Sequence, residues 1–121
     1  MNLKAQPTIL VIGKDATLRY LLGRFAEHSG YQLKVNGESI SSSEIAAINP
    51  TVIIFLSTEL LARNQTFLAG LASLDTSVVV CSSVVEEARA IELGADYCLL
   101  HPFTYGDFQT ILANAAVAKH A

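Results

Sequence analysis

Val52-Ile53-Ile54-Phe55-Leu56 is apolar at all five positions, with Pro50-Thr51 before it and Ser57-Thr58-Glu59 after it. A short run rich in β-branched and aliphatic residues reads as a strand, and its lack of alternation means that both faces are covered. The runs 8–12, 78–81 and 97–100 share this pattern. The segment 31–35 differs, because Gln32 and Lys34 alternate with apolar residues, and this predicts an edge strand. Strands covered on both faces belong to a parallel sheet held between two layers of helices.

Between these strands the spacing becomes helical. Leu18, Leu21, Leu22 and Phe25 follow Asp15, a plausible N-cap, and Gly30 after Ser29 ends the first helix. Residues 43–48 predict a short second helix closed by Asn49 and Pro50. Leu60, Leu61, Leu68 and Leu71 predict a third, with Asn64, Gln65 and Gly70 weakening its middle. Ser83 precedes Val84, Ala88 and Ile91, with Gly94 beyond them, which predicts a fourth helix. Phe108, Ile111, Leu112 and Ala115 repeat at three and four residues and predict a fifth. Five strands alternating with five helices over short connections specify a doubly wound α/β domain with right-handed crossovers. The order 2-1-3-4-5 keeps the polar second strand at an edge and places the functional crevice beyond the carboxyl ends of the central strands. Four stretches border that crevice: Gly13-Lys14-Asp15, residues 56–59, Ser82-Ser83 and His101-Pro102.

Composition limits the chemistry. A chain of 121 residues suits one domain, and 51% hydrophobic against 16% charged residues supplies a substantial core. The net charge of -3 and the scattering of eight Lys and Arg residues argue against direct nucleic-acid binding by this domain, which needs clustered cations. No apolar run reaches the ~18 residues of a membrane span, and residues 1–7 lack the apolar core of a signal peptide, so a cytoplasmic protein without membrane contact is expected. Cys81 and Cys98 lie within apolar runs and read as buried thiols rather than as a metal or disulfide pair. His28 and His120 read as exposed helix-end residues, and no histidine pair has metal-ligand spacing. Gly13 alone is no dinucleotide fingerprint, and Gly13-Lys14 lacks the flanking residues of a P-loop. No cofactor and no metal are expected.

Gly94-Ala95-Asp96, followed five residues later by His101-Pro102-Phe103, resembles the receiver domains of response regulators in two-component signalling. The last strand of that family typically reads Gly-Ala-Asp, a few apolar residues, then Lys-Pro-Phe. The resemblance runs from Thr8 to about Ala118 and implies a single receiver-like, flavodoxin-like domain over 1–121. It also implies a metal site built from two acidic residues after the first strand, with a third carboxylate ending the third strand as phosphate acceptor. In this chain the acidic pair falls on Gly13 and Lys14, and the acceptor falls on Leu56. The hydroxyl ending the fourth strand is kept as Ser82, the phosphate-pairing lysine falls on His101, and the aromatic switching position falls on Cys98. Lys14 puts a cation where a metal would bind, and repulsion opposes it. The nearest carboxylates, Asp15 and Glu59, are explained as a cap of the first helix and as a complement to the positive start of the third. By the same resemblance, Pro102 is expected to follow a cis peptide.

These observations predict a pseudo-receiver: a phosphorylation-independent regulatory domain with no catalytic residue. It would act by protein–protein interaction or homodimerisation through the face of the fourth helix, fifth strand and fifth helix. Val84, Val85, Glu86, Glu87, Arg89 and Tyr105 fall in or beside that face. Val84 and Val85 are consecutive, so both do not point into one core, and Glu86-Glu87 suits a basic partner surface. The expected partner is another protein or an output domain, with the chain as the N-terminal domain of a longer regulator, for example of transcription. The alternative is a small-ligand sensor in which Lys14, Ser57, Ser82 and His101 receive an anion at the start of the first helix.

Overall fold

In a computed structural model that describes residues 7–71 and 75–118, five strands pair in parallel in the order β2-β1-β3-β4-β5. They are β1 (Thr8–Ile12), β2 (Gln32–Asn36), β3 (Val52–Phe55), β4 (Ser77–Ser82) and β5 (Tyr97–Leu100). The register sets Ile12 beside Phe55, Phe55 beside Val80 and Ser82 beside Leu100, so β1 and β3 finish level, while β4 runs two residues further and finishes level with β5. Residues 9–12, 52–55 and 78–81 are all buried, as continuous apolarity requires of strands sandwiched by helices.

The helices are α1 (Ala16–Ser29), α2 (Ser42–Ile48), α3 (Thr58–Arg63), α4 (Gln65–Leu71), α5 (Glu87–Glu92) and α6 (Tyr105–Ala118). Asp15 caps α1 by accepting from the Leu18 amide at 3.0 Å, and Gly30 ends it in the left-handed conformation. On one side of the sheet α1 packs against α6, while α3 and α5 meet on the other. Phe25 of α1 sits 5.5 Å from Phe108 and 6.3 Å from Phe103, ring centre to ring centre, and these pairs join α1 to the segment carrying α6.

Several local expectations are corrected. The single third helix is two, so the described residues hold six helices rather than five. The division falls at buried Asn64, whose amide Nδ2 donates to the Leu60 carbonyl at 2.8 Å and to the Glu38 carbonyl at 3.2 Å. A side-chain amide bound to the backbone in this way competes with helix continuation. The fourth helix starts at Glu87 rather than directly after Ser83. Ser83 Oγ accepts from the Glu86 amide at 3.3 Å, closing a turn over 84–86 in which Val84 and Val85 lie outside the helix. Two consecutive β-branched residues resist the crowded helical turn, in keeping with this placement. On the edge strands, Val35 is exposed and Cys98 is half-buried, so the reading of Cys98 as a buried thiol is wrong. His120 lies outside the described residues, and His28 is exposed in the last turn of α1.

The Gly-Ala-Asp stretch is scaffold. Gly94 turns the chain at φ +110, Ala95 is buried, and Asp96 aligns β5 with β4. The Asp96 amide donates to the Val78 carbonyl at 2.7 Å, and its carboxylate accepts from the Val78 amide at 2.8 Å. The His101-Pro102 peptide is cis, as the resemblance implied. Among the described residues, no helix is long and apolar enough to cross a membrane, and no group of three His, Cys, Asp or Glu side chains is placed to hold a metal.

Candidate functional site

Gly13 ends β1 with φ +139, and its amide donates to the Gly37 carbonyl at 2.8 Å. A Cβ at this position would lie 2.8 Å from Leu56 Cβ and 2.9 Å from Leu56 Cγ and Cδ1. Leu56, only 5% exposed, follows β3 and donates its own amide to the Ile12 carbonyl at 3.0 Å. A leucine side chain therefore lies directly on the glycine backbone where the ends of β1 and β3 meet. The two residues are interdependent: the missing Cβ makes the room, and Leu56 fills it.

Two of the polar residues near this contact, Ser57 and Ser82, are held by hydrogen bonds of their own. Ser57 caps α3, its hydroxyl accepting from the Leu60 amide at 3.1 Å. Ser82 is 2% exposed; its hydroxyl accepts from Thr58 Oγ1 at 3.2 Å and donates to the Ser83 carbonyl at 3.2 Å. Lys14 is exposed. His101 is exposed too, but its side chain lines a groove of about 450 Å³ with Val84, Cys98, Pro102, Asp107 and Ile111, a groove whose lining includes none of Lys14, Ser57 and Ser82. Glu59 sits in the first turn of α3 and pairs with Arg63 at 3.1 Å, consistent with a helix-start role.

Arg19 escaped the sequence reading. Its guanidinium donates from Nε to the Gly13 carbonyl at 2.7 Å and from Nη2 to the Asn36 carbonyl at 2.9 Å, tying together the ends of β1 and β2. Nothing in the helical periodicity of α1 distinguishes it from a solvated arginine. Asn36 in turn donates to Glu44 at 3.0 Å, and this bond, with those from Ser41, holds the Glu44 carboxyl below its ordinary range.

The α5–β5–α6 side is different in character. Val84 and Val85 are 70% and 91% exposed, and Glu86, Glu87 and Arg89 are exposed beside them. Tyr105 does not join them, which corrects its assignment to this face. Its ring lies 5.2 Å from that of Phe25 and 6.2 Å from that of His28, and its hydroxyl is 3.0 Å from Ser29 Oγ, so it anchors α6 to α1.

Behind the crevice, burial pushes the Cys81 thiol up to about 12, with smaller contributions from Asp15 and Cys98. Cys98 is also raised, by burial first and then by Glu87. The folded chain thus holds the Cys81 proton more tightly than the unfolded chain, whose thiols ionise near 9.0. Its contribution to stability is complete below that value and is lost as the pH rises from there toward about 12. The urea midpoint of the native protein is expected to fall more steeply than that of a Cys81→Ala variant as the pH rises through about 9–11. Equal slopes would mean that Cys81 ionises normally in the fold.

No protein-family model and no curated protein matches the sequence. Solved structures do match its fold. The chain is similar to NtrX from Brucella abortus in complex with ADP, with TM-score 0.73 and 20% identity over 96% of this chain. It spans only 27% of that NtrX chain. It is also similar to the signal receiver domain of a putative Luxo repressor protein from Vibrio parahaemolyticus (TM-score 0.69, 17% identity, covering 96% of this chain and 94% of that one). A response regulator from Thermotoga maritima gives TM-score 0.71 at 14% identity, covering 93% of this chain and 99% of that one. The chain therefore has the flavodoxin-like fold of response-regulator receiver domains.

Proposed function

We propose that this chain is a regulatory signalling domain of the receiver type that works without phosphorylation, by binding a protein through the face formed by the turn 84–86, α5, β5 and α6. The observation that carries this reading is Leu56 seated on Gly13: an apolar contact occupies the point where phosphate chemistry would need carboxylates and a metal. Such a domain would bind rather than catalyse: the hydroxyls of Ser57 and Ser82 are engaged by the Leu60 amide, by Thr58 and by the Ser83 carbonyl rather than by a base. Its place is the cytoplasm, as a module of two-component signalling joined to an output domain or docked on a separate partner, with transcriptional control as one such output.

Two exposed valines in sequence are costly to leave in water and inexpensive to cover, which suits a docking surface. Glu86 and Glu87 next to them favour a basic counterpart and would set the approach rate more than the final affinity. Replacing Val84 and Val85 together by serine is expected to weaken association by roughly tenfold or more, in line with the loss of two covered apolar side chains. The circular dichroism spectrum should not change, because neither residue belongs to the core. Association can be followed by analytical ultracentrifugation or by titration against the separated output domain. Binding that survives this change but fails with Lys14→Ala or His101→Ala would hand the function to the crevice and to an anionic ligand.

A further inference from the structure

A second surface lies on the opposite layer of the molecule. Tyr20, Arg24, Phe25, His28 and Tyr105 line a shallow groove of about 500 Å³ between α1 and the start of α6. Tyr20, Arg24 and His28 recur every four residues and so form one stripe along α1, with Phe25 and Tyr105 as the aromatic wall. Tyr20 is 66% exposed. Arg24 donates to the Tyr20 hydroxyl at 3.0 Å, and its guanidinium lies 5.9 Å from the centre of the Tyr20 ring, so the cation is held in position by its neighbour. Among the described residues Arg24 has no carboxylate partner; the ion pairs present belong to Arg63. A guanidinium with N–H groups to spare, set in an apolar aromatic groove, is suited to a carboxylate carried next to apolar side chains.

The turn 84–86 and the start of α5 present that chemistry. Val84 and Val85 project as an apolar pair, Glu86 and Glu87 follow immediately, and among the described residues neither carboxylate has a cationic partner. Each surface thus supplies what the other lacks, aromatic wall against valines and guanidinium against carboxylates. They lie on different layers of the sheet, so one copy does not satisfy itself.

We infer that the partner of the turn 84–86 is a second copy of this chain, which receives the two valines in its α1–α6 groove and pairs Arg24 with Glu86 or Glu87. The inference rests on the docking face proposed above and names its occupant. Because unlike surfaces meet, the contact is head to tail, and assembly continues beyond a dimer or closes into a ring. One turn in one groove buries less than the roughly 1,200 Å² of a stable interface, so the association is weak and rises with concentration. It is also sensitive to salt, since its charges lie near the surface.

Sedimentation velocity over a concentration series, on the native chain and on three variants, tests the inference. Arg24→Glu alone, and Glu86→Lys with Glu87→Lys, are each expected to weaken assembly by about tenfold or more through like-charge opposition. The variant carrying all three reversals should assemble again, because groove and turn have exchanged signs. Far-ultraviolet circular dichroism checks that each variant is folded. A native chain that stays monomeric at every concentration overturns the choice of partner and leaves the docking face standing. Assembly lost on reversing the turn but indifferent to Arg24→Glu means that like faces meet, which also overturns the head-to-tail contact alone. Assembly indifferent to the turn reversals overturns both this inference and the docking face.

Discussion

Gly13→Ala is expected to destabilise the domain by about 2–6 kcal/mol, combining roughly 1–3 for a side chain at a φ rarely adopted outside glycine with roughly 1–3 for the overpacked contact on Leu56. The geometry behind this figure is the φ of +139 and the three Leu56 carbons within 2.9 Å of the added Cβ. Leu56→Ala on its own should cost about 2–5 kcal/mol, as expected for a buried leucine cut back to its Cβ. Combined, the two changes should cost less than their sum by about 1–2 kcal/mol, because removing Cγ and Cδ1 of Leu56 relieves two of the three close approaches at position 13. Urea unfolding of the four proteins completes the cycle. Additive costs would show that something other than Leu56 holds position 13 to glycine.

Much of the fold was legible because its signals are local. Unbroken apolar runs announce strands covered on both faces, and residues 9–12, 52–56 and 78–81 of the predicted runs are buried. Asp15 and Gly30 mark the ends of α1 by their own backbone preferences. The features that escaped depend on partners distant in sequence. Asn64 breaks the third helix by reaching the Glu38 carbonyl 26 residues away, and Tyr105 turns inward to a serine 76 residues away. Arg19 matters because the ends of β1 and β2 come within reach of one guanidinium. The site was legible only in outline. The resemblance placed Gly13 and Leu56 at the same vacated centre, but only the fold shows that they touch, that Ser57 and Ser82 are held by hydrogen bonds of their own, and that His101 lines a groove with Cys98 and Ile111. The Gly-Ala-Asp stretch was visible for a complementary reason: Asp96 holds the register of β5, a duty independent of phosphate chemistry.

Incubation with acetyl phosphate and magnesium is expected to leave the mass of the intact chain unchanged. A hard divalent cation needs several oxygen ligands, and positions 13, 14 and 56 offer a hydrogen, an ammonium and an isobutyl group. Without the cation, nothing neutralises an incoming phosphoryl group, and without a carboxylate at position 56, nothing there attacks it. Leu56→Asp supplies the nucleophile alone, and it too should stay unmodified. Its new carboxylate would enter a site where Leu56 is only 5% exposed, so this variant should also lose stability, by about 2–5 kcal/mol for the lost packing and more for the buried charge. Adding Lys14→Asp restores one metal ligand but not the second, because Gly13→Asp still brings its Cβ to 2.8 Å from the Cβ at position 56. The backbone at the end of β1 is therefore as much an obstacle as the missing acids. Intact-mass spectrometry reads the outcome directly. A phosphoryl adduct on the native chain or on Leu56→Asp alone would mean that Asp15 leaves its cap on the Leu18 amide to hold the metal, and the phosphorylation-independent reading would fall.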